Sequence, residues 1–463
     1  QNNTTGISNV AVGRDTLRLN TTATENVAVG AFSSDALTTG SLNTAVGYHS
    51  LGAATTAHSC VAIGNLALFS TTTGENNTAV GQGALTNNTT ATNNTALGRD
   101  ALNDNTTGTQ NVAVGAFTLD ANTTGNSCTA VGYAALSANT ANNCSAFGTN
   151  ALIVNTTAVD CNAFGVAALA DNTTGIRNQA FGVSALQNNT TGDNNNAFGY
   201  ATLAANTTAS NNTAVGHAAL NANTTGQNNT ALGHDALLSN TTADSNTSVG
   251  QGSLRQCTTG SSNAACGKGA LNSSTTADNC TAMGHDGLVA VTTGDNNTGC
   301  GRAAGAGLTT GSNNTLLGVD AGRSTSPSGN ITTGSNNVVL GDNNINNLFC
   351  ADTSISSSDS RDKTDVENFN IGLDWIKALR PVTYRWDRRT WYGTDAEPFG
   401  SPDGSKKRAR LHIGFLAQEA LEVEKANGYG SSNDDSLICN LTDDGMSYGM
   451  KYERLVPILV NAI

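Results

Sequence analysis

The sequence predicts a mainly β fold: a parallel β-solenoid (β-roll) stem of 17-residue coils, followed by a small α+β unit. Three observations carry this. A glycine-anchored pentad of the type NTAVG recurs at a fixed period from Gly13 to Gly318. The chain is 12% charged and 5% aromatic, with 51 Gly and 5 Pro, which is poor material for an ordinary globular core. All three Trp (Trp375, Trp386, Trp391) and 14 of the 22 Lys and Arg lie after residue 350. Two physical plans therefore share one chain, with the stem at 1–341, a linker at 342–357 and the C-terminal unit at 358–463.

The stem is a counted array. Nineteen anchors (Gly13, Gly30, Gly47 and onward to Gly318) are separated by eighteen intervals, of which seventeen are 17 residues. The exception, Gly132 to Gly148, lacks one Thr in "ANTANN", a deletion in a turn that leaves both flanking apolar sets in phase. A period this short means one coil per repeat, each unable to bury its face alone and stabilised by the next. Eighteen coils at the strand spacing of about 4.8 Å predict a shaft of about 85–90 Å.

Within a coil, the residue two before the anchor is Ala in sixteen of nineteen cases, and the residue one before it is bulkier, as in Val46, Leu97, Phe147, Phe164, Phe181, Phe198 and Met283. Such alternation is a short strand with two differently filled faces. Leu four residues after the anchor (Leu51, Leu85, Leu102, Leu136, Leu220) marks a second buried stretch. "NTTG" or "NTTA" supplies the turn, its Asn and Gly tolerating positive φ. The density of Asn, Thr and Gly excludes helix, and in stacked coils these side chains form hydrogen-bonded ladders. The competing expectation for such a composition is disorder, and the sustained phase argues against it.

Other residue classes follow the register. Cys60, Cys128, Cys144, Cys161 and Cys280 stand four before an anchor, where other coils carry Asn, while Cys266 and Cys300 take the bulky position. That pattern fits buried packing thiols better than disulfides, although Cys128, Cys144 and Cys161 belong to consecutive coils. No paired CxxC spacing suggests zinc. His217 and His234 share one position in adjacent coils, and His285 recurs there later. Because that position elsewhere holds Arg14, Tyr48, Gln82, Lys268 and Val319, it reads as solvent surface, with no metal and no cofactor expected. "GRAAGAG" at 301–307 lacks the partners of a phosphate loop. The Asn-x-Thr sequons are an automatic product of the repeat.

The net charge of -13 divides into about -9 before residue 351 and about -4 after it. An acidic, sparsely charged stem is a poor phosphate-backbone ligand, so nucleic acid is not an expected partner. The one basic run, "KKRAR" at Lys406 to Arg410, reads as a solvated loop. No run of 18 apolar residues is present, so no membrane insertion is expected. The N-terminus opens inside the repeat without a basic start or apolar stretch, which points to a fragment or processed product.

After Gly341 the composition changes. Asp365 to Leu379 reads as a helix with Phe369, Leu373, Ile376 and Leu379 near one face, stopped by Pro381. "PVTYRW" alternates as a strand, "LHIGFLAQEALEVEKANG" as strand into helix, and "YERLVPILVNAI" as an apolar-faced final helix. Ahead of them stands "SSSDSRDK", residues 356–363. A serine is a weak nucleophile that needs a base, and a lysine serves only if burial or a neighbouring cation lowers its pKa. Arg361, two residues from Lys363, is a candidate for that cation. Spacing alone also fits a turn rich in Ser and Asp.

Two resemblances bear on function. The "NNTAVG..AL" units of the stem resemble the head repeats of trimeric autotransporter adhesins, left-handed parallel β-rolls packed around a threefold axis, although those repeats are usually shorter than 17. This implies a homotrimer whose contacts use either the small Ala positions or the bulky ones. A triple-stranded β-helix of interwoven chains is the competing architecture. "SDSRDK", "LDWIKALRPVTYRW", "GFLAQEAL" and "YERLVPILVNAI", in that order, resemble the C-terminal intramolecular chaperone of endosialidases and phage tail fibres and spikes, peptidase family S74. The resemblance implies a domain that trimerises, guides folding of the stem and then cuts itself off. The family's Ser-Asp-x-Arg-x-Lys motif falls on Ser358, Asp359, Arg361 and Lys363, with Ser358 as nucleophile, Lys363 as its partner and the cut between Ser357 and Ser358. The leading expectation is a virion tail fibre or filament shaft that meets a host cell-surface receptor or glycan. The alternatives are a bacterial surface adhesin and a glycan-degrading tail spike; the stem shows no recurring acidic pair outside surface turns for the latter.

Overall fold

The computed structural model describes residues 2–345, 364, 366–393, 399–441 and 447–463. It divides into two compact units, Gln1–Cys280 and Thr281–Ile463. Twenty strands of three residues each build a parallel β-solenoid, and within each unit successive coils of the chain pair with one another. The first unit holds β1 (Val10–Val12) to β16 (Ala264–Cys266), and the second holds β17 (Thr281–Met283) to β20 (Val338–Leu340) and the C-terminal elements. Among the described residues no helix is long and apolar enough to cross a membrane.

Register follows the sequence columns. Ala11 lies against Ala28, and Ala28 against Ala45. The 16-residue interval does not disturb this: β8 (Thr129–Val131) pairs with β9 (Ser145–Phe147) through Ala130 and Ala146, so the missing residue is absorbed in the turn. A longer excursion of 23 residues separates β19 (Thr315–Leu317) from β20, yet Thr315 still meets Val338 in register.

The column two before the anchor points inward, and its alanines are fully buried from Ala28 to Ala282. The bulky column beside it points out: Leu97 is 47% and Phe198 40% exposed. Phe147, Phe164, Phe181 and Phe198 stack face to face along it, with ring centroids 4.7 Å apart. The anchor itself must be glycine. At Gly132 φ is +133, and a Cβ there would lie 2.6 Å from the Gly148 carbonyl oxygen of the following coil.

Two buried asparagine ladders replace much of the usual apolar core. In the column four before the anchor, Asn43 Nδ2 donates to the Ala57 carbonyl (2.9 Å) while its Oδ1 accepts from the Cys60 amide (3.0 Å). Seven after the anchor, Asn122 Nδ2 donates to Asn105 Oδ1 (3.1 Å) and to the Gly125 carbonyl (3.1 Å), and its Oδ1 accepts from the Gly125 amide (3.0 Å). A threonine ladder runs alongside, as in Thr106 Oγ1 to the Thr123 carbonyl (3.0 Å). Most buried side-chain amides find partners in their own turn or an adjacent coil, Asn240 Oδ1 being an exception, which is how a polar composition stays ordered.

The turn chemistry differs from expectation. The Asn and Gly of "NTTG" do not use positive φ; Asn122 and Gly125 close the turn by side-chain hydrogen bonds instead. Positive φ falls on the anchor and on residues two, four and twelve after it, including buried leucines such as Leu136 (φ +53). There the amides alternate in direction: Ala134 N–H donates to the Ala116 carbonyl of the preceding coil (3.0 Å), and Leu136 N–H to Ala151 of the following one (3.0 Å). Neighbours on both sides hold a leucine where isolated sterics would disfavour it.

The buried cysteines are packing residues, Cys266 and Cys300 are exposed, and among the described residues no disulfide forms. Cys144 and Cys161 donate to the carbonyls that Asn meets in other coils, Ala158 (3.2 Å) and Gly175 (3.3 Å). Burial pushes the Cys161 thiol up to about 11 and that of Cys257 up to about 12. In the consecutive pair, the bond from Cys144 lowers Cys128 and raises Cys144.

Candidate functional site

The C-terminal elements form their own small core. α1 (Leu373–Ala378) presents Trp375, α2 (Ala417–Ala426) presents Ala420, and α3 (Leu455–Ala462) presents Leu455 and Ile458, closing around Leu379, Ile438 and Cys439. β21 (Val382–Tyr384) and β22 (His412–Gly414) pair antiparallel, as do β23 (Cys439–Leu441) and β24 (Tyr448–Met450). The strand at "PVTYRW", the strand-into-helix at "LHIGFLAQEAL" and the final helix stand where the sequence put them, the last preceded by a turn of 3-10 helix at Tyr452–Arg454. The basic run 406–410 is irregular, and Arg408 lies over the Trp391 ring at 4.9 Å.

The first helix is shorter than the predicted 365–379. It starts only after Gly372, where a Cβ would come 2.6 Å from the Asn461 carbonyl oxygen. Asn461 Nδ2 in turn donates to the Ile371 carbonyl (2.9 Å). Residues 366–372 are thus drawn out of helix by contact with α3. The Pro381 stop holds: Leu379 is already extended (φ -73, ψ 134).

Two carboxylates organise this domain. Glu424, fully buried on α2, accepts from the amides of Leu437 (3.2 Å), Ile438 (2.5 Å) and Cys439 (2.9 Å) and from Ser436 Oγ (2.7 Å). It fastens the segment leading into β23 to the helix. Sequence reading missed both Glu424 and the second hairpin; the signal was a Glu at an apolar-face position of "LEVEKANG". Glu419 on the exposed side takes a two-pronged contact from Arg380, with Nε to Oε2 at 3.0 Å and Nη2 to Oε1, which holds the carboxyl below its usual range. That pair ties the end of α1 to the start of α2.

These elements are the ones the family comparison recognises. The family model described as chaperone of endosialidase, Peptidase S74, matches residues 358–429. The C-terminal part of the chain carries an endosialidase-type chaperone domain. Its match starts at Ser358 and runs through α1, β21, β22 and α2; the Glu424-bound hairpin and α3 continue the same core beyond it. Comparison of the whole chain with curated proteins gives no match.

The predicted processing residues Ser357, Ser358, Asp359, Arg361 and Lys363 lie outside the described residues. Four of them, Ser358, Asp359, Arg361 and Lys363, fall inside the segment that the chaperone model matches. On the stem, the structure brings together one set of side chains that the sequence reading did not assemble. His217, His234 and Asp235 place one ligating atom each within 4.8 Å of one another.

Proposed function

We propose that the chain is a homotrimeric fibre or spike shaft of a virion, engaged in host attachment, whose C-terminal domain templates trimeric folding and then releases itself. The observation that carries the reading is the chaperone-of-endosialidase match at residues 358–429, following directly on a parallel β-solenoid. Long parallel solenoids fold slowly because non-local pairings must find register, and exposed coil edges invite misassembly. A trimeric template at one end sets that register. The small Ala column is consumed inside each coil, so the outward bulky column, with its phenylalanine stack, is the side of the strand left to meet the partner chains.

For release, Lys363 in its neutral form accepts the proton of Ser358 Oγ, and Oγ attacks the Ser357 carbonyl. The peptide bond breaks as the Lys363 ammonium passes that proton to the Ser358 nitrogen, which leaves as an amine, and an ester links Ser357 to Ser358 Oγ. Water then hydrolyses the ester, restoring the hydroxyl and leaving a carboxylate on Ser357. Arg361 keeps the lysine pKa down by charge, and Asp359 completes the motif. Assembly into the trimer holds this geometry, which a lone loop does not.

The test is expression of the chain with N-terminal sequencing of the small fragment. Ser358→Ala and Lys363→Ala are expected to give uncut trimers and Arg361→Ala slowed cutting. A fragment starting elsewhere than Ser358, or normal cutting in Ser358→Ala, removes the mechanism. A folded chain that sediments as a monomer removes the trimer.

A further inference from the structure

We propose that His217, His234 and Asp235 form a surface site for a borderline divalent cation of the zinc type. Both histidines follow anchor glycines held at φ +131 and +138, so the coil repeat sets one imidazole above the other, with centroids 4.8 Å apart and planes within 8°. Tyr200 backs His217 from the preceding coil, its ring centroid 5.3 Å away.

The third ligand is fixed to the first two. Asp235 N–H donates to the His217 carbonyl (3.1 Å), and with φ at +57 its side chain turns beside its own histidine, Oδ1 lying 3.4 Å from His234 Nδ1. Two imidazoles and a carboxylate are the donor set of three-ligand zinc sites, with water completing the tetrahedron. Bonds of about 2.0–2.2 Å need donor atoms roughly 3.3 Å apart. Closing from a spread of 4.8 Å takes only side-chain rotation, and both histidines are exposed and free to rotate.

One cation opposes the metal: Arg255 Nε contacts Asp235 Oδ2 at 3.2 Å, leaving Oδ1 facing the histidine. The stem also supplies a control. His285 and Asp286 repeat the His-Asp pair (3.1 Å), but the equivalent position one coil earlier is Lys268, a cation where the proposed site has His217.

The experiment is calorimetric titration of the full chain with zinc chloride, after alkylation of accessible thiols to remove the exposed Cys266 and Cys300 from competition. One zinc per chain is expected. His217→Ala, His234→Ala or Asp235→Asn should weaken binding at least tenfold, roughly the loss seen when even a ligand's supporting partner is removed. Arg255→Gln should tighten it, and His285→Ala should leave it unchanged. Folding is expected to survive, since the same column carries Ala31 and Ala116; His234→Gln, matching Gln82 and Gln251, is the second variant. A chain that binds no zinc, or binding untouched in the His217→Ala, His234→Gln double variant, overturns the assignment.

Discussion

Replacing Asn195 by Ala removes one rung of a buried ladder, and its cost can be worked bond by bond. Asn195 Nδ2 donates to the Ala209 carbonyl (2.8 Å), and Oδ1 accepts from the Asn212 amide (3.0 Å) and more weakly from Asn212 Nδ2 (3.3 Å), which keeps the Gly226 carbonyl (3.0 Å) as a second partner. The carbonyl keeps a second donor, Asn206 Nδ2 at 3.0 Å, so it loses a bond without being orphaned. The Asn212 amide has no such reserve and is left unpaired in a fully buried residue. A lost bond at roughly 0.5–1.5 kcal/mol and an unpaired buried donor at roughly 1–3 kcal/mol sum to about 1.5–4.5 kcal/mol. Asn195→Cys is the informative comparison, because Cys161 in the same column donates to the equivalent carbonyl, that of Gly175, at 3.3 Å. It should restore the donor and supply sulfur as a weaker acceptor, since at Cys161 the Asn178 amide of the next coil meets the thiol, and so cost at least about 1 kcal/mol less than Ala. The assay is native-state hydrogen exchange, which reads local opening in an array where a single global unfolding free energy is poorly defined. The Asn212 amide should lose the most protection. A loss under about 0.5 kcal/mol in Asn195→Ala, or Cys and Ala variants that are alike, refutes the claim that the ladder stabilises the coils.

Other outcomes are open to direct measurement. Ala130→Leu overfills the fully buried inner column and should cost roughly 1–3 kcal/mol, lowering thermal and proteolytic resistance; unchanged resistance would mean the column is not tightly packed. Cys161 and Cys257, raised to about 11 and about 12 by burial, should stay unmodified by an aromatic disulfide reagent at pH 8 until the chain is denatured, as mapped by mass spectrometry. Glu424→Ala strips acceptors from the three amides of Leu437, Ile438 and Cys439 and should destabilise the chaperone domain by at least roughly 3 kcal/mol. The solenoid's own unfolding transition should be unaffected by that change, and a shift in it would contradict local action.

Much of the stem was legible because its physics repeats. A Gly whose Cβ would strike the next coil cannot vary, and an inward Ala cannot grow, so Gly132 and Ala130 announce their roles through their columns. What the residue letters hide is the sign of φ. Leucine at +53 runs against its local preference, and only the opposed hydrogen bonds of Ala134 and Leu136 to coils on either side explain it. Position twelve after the anchor was hidden the same way. In the C-terminal domain, helix and strand patterns were readable, but the start of α1 was set by Gly372 meeting Asn461, a contact ninety residues away that no local pattern encodes. Asp235 escaped because the histidine column was read one position at a time. Its carboxylate comes to that column through a left-handed backbone, not through spacing.

The in-register repeat carries a second consequence. When Ala lies on Ala through most of the ladder, a coil that skips its neighbour and pairs with the one beyond meets nearly the same side chains. Local bonding alone scarcely distinguishes a correct alignment from one displaced by a whole coil. Correct alignment must then be indexed by whatever breaks the monotony. The chain has three such marks: the shortened coil between Gly132 and Gly148, the run of four stacked phenylalanines that follows it, and the 23-residue excursion before β20. Irregularities that look like copying errors in the repeat are the graduations by which a coil is told apart from its near-identical neighbours.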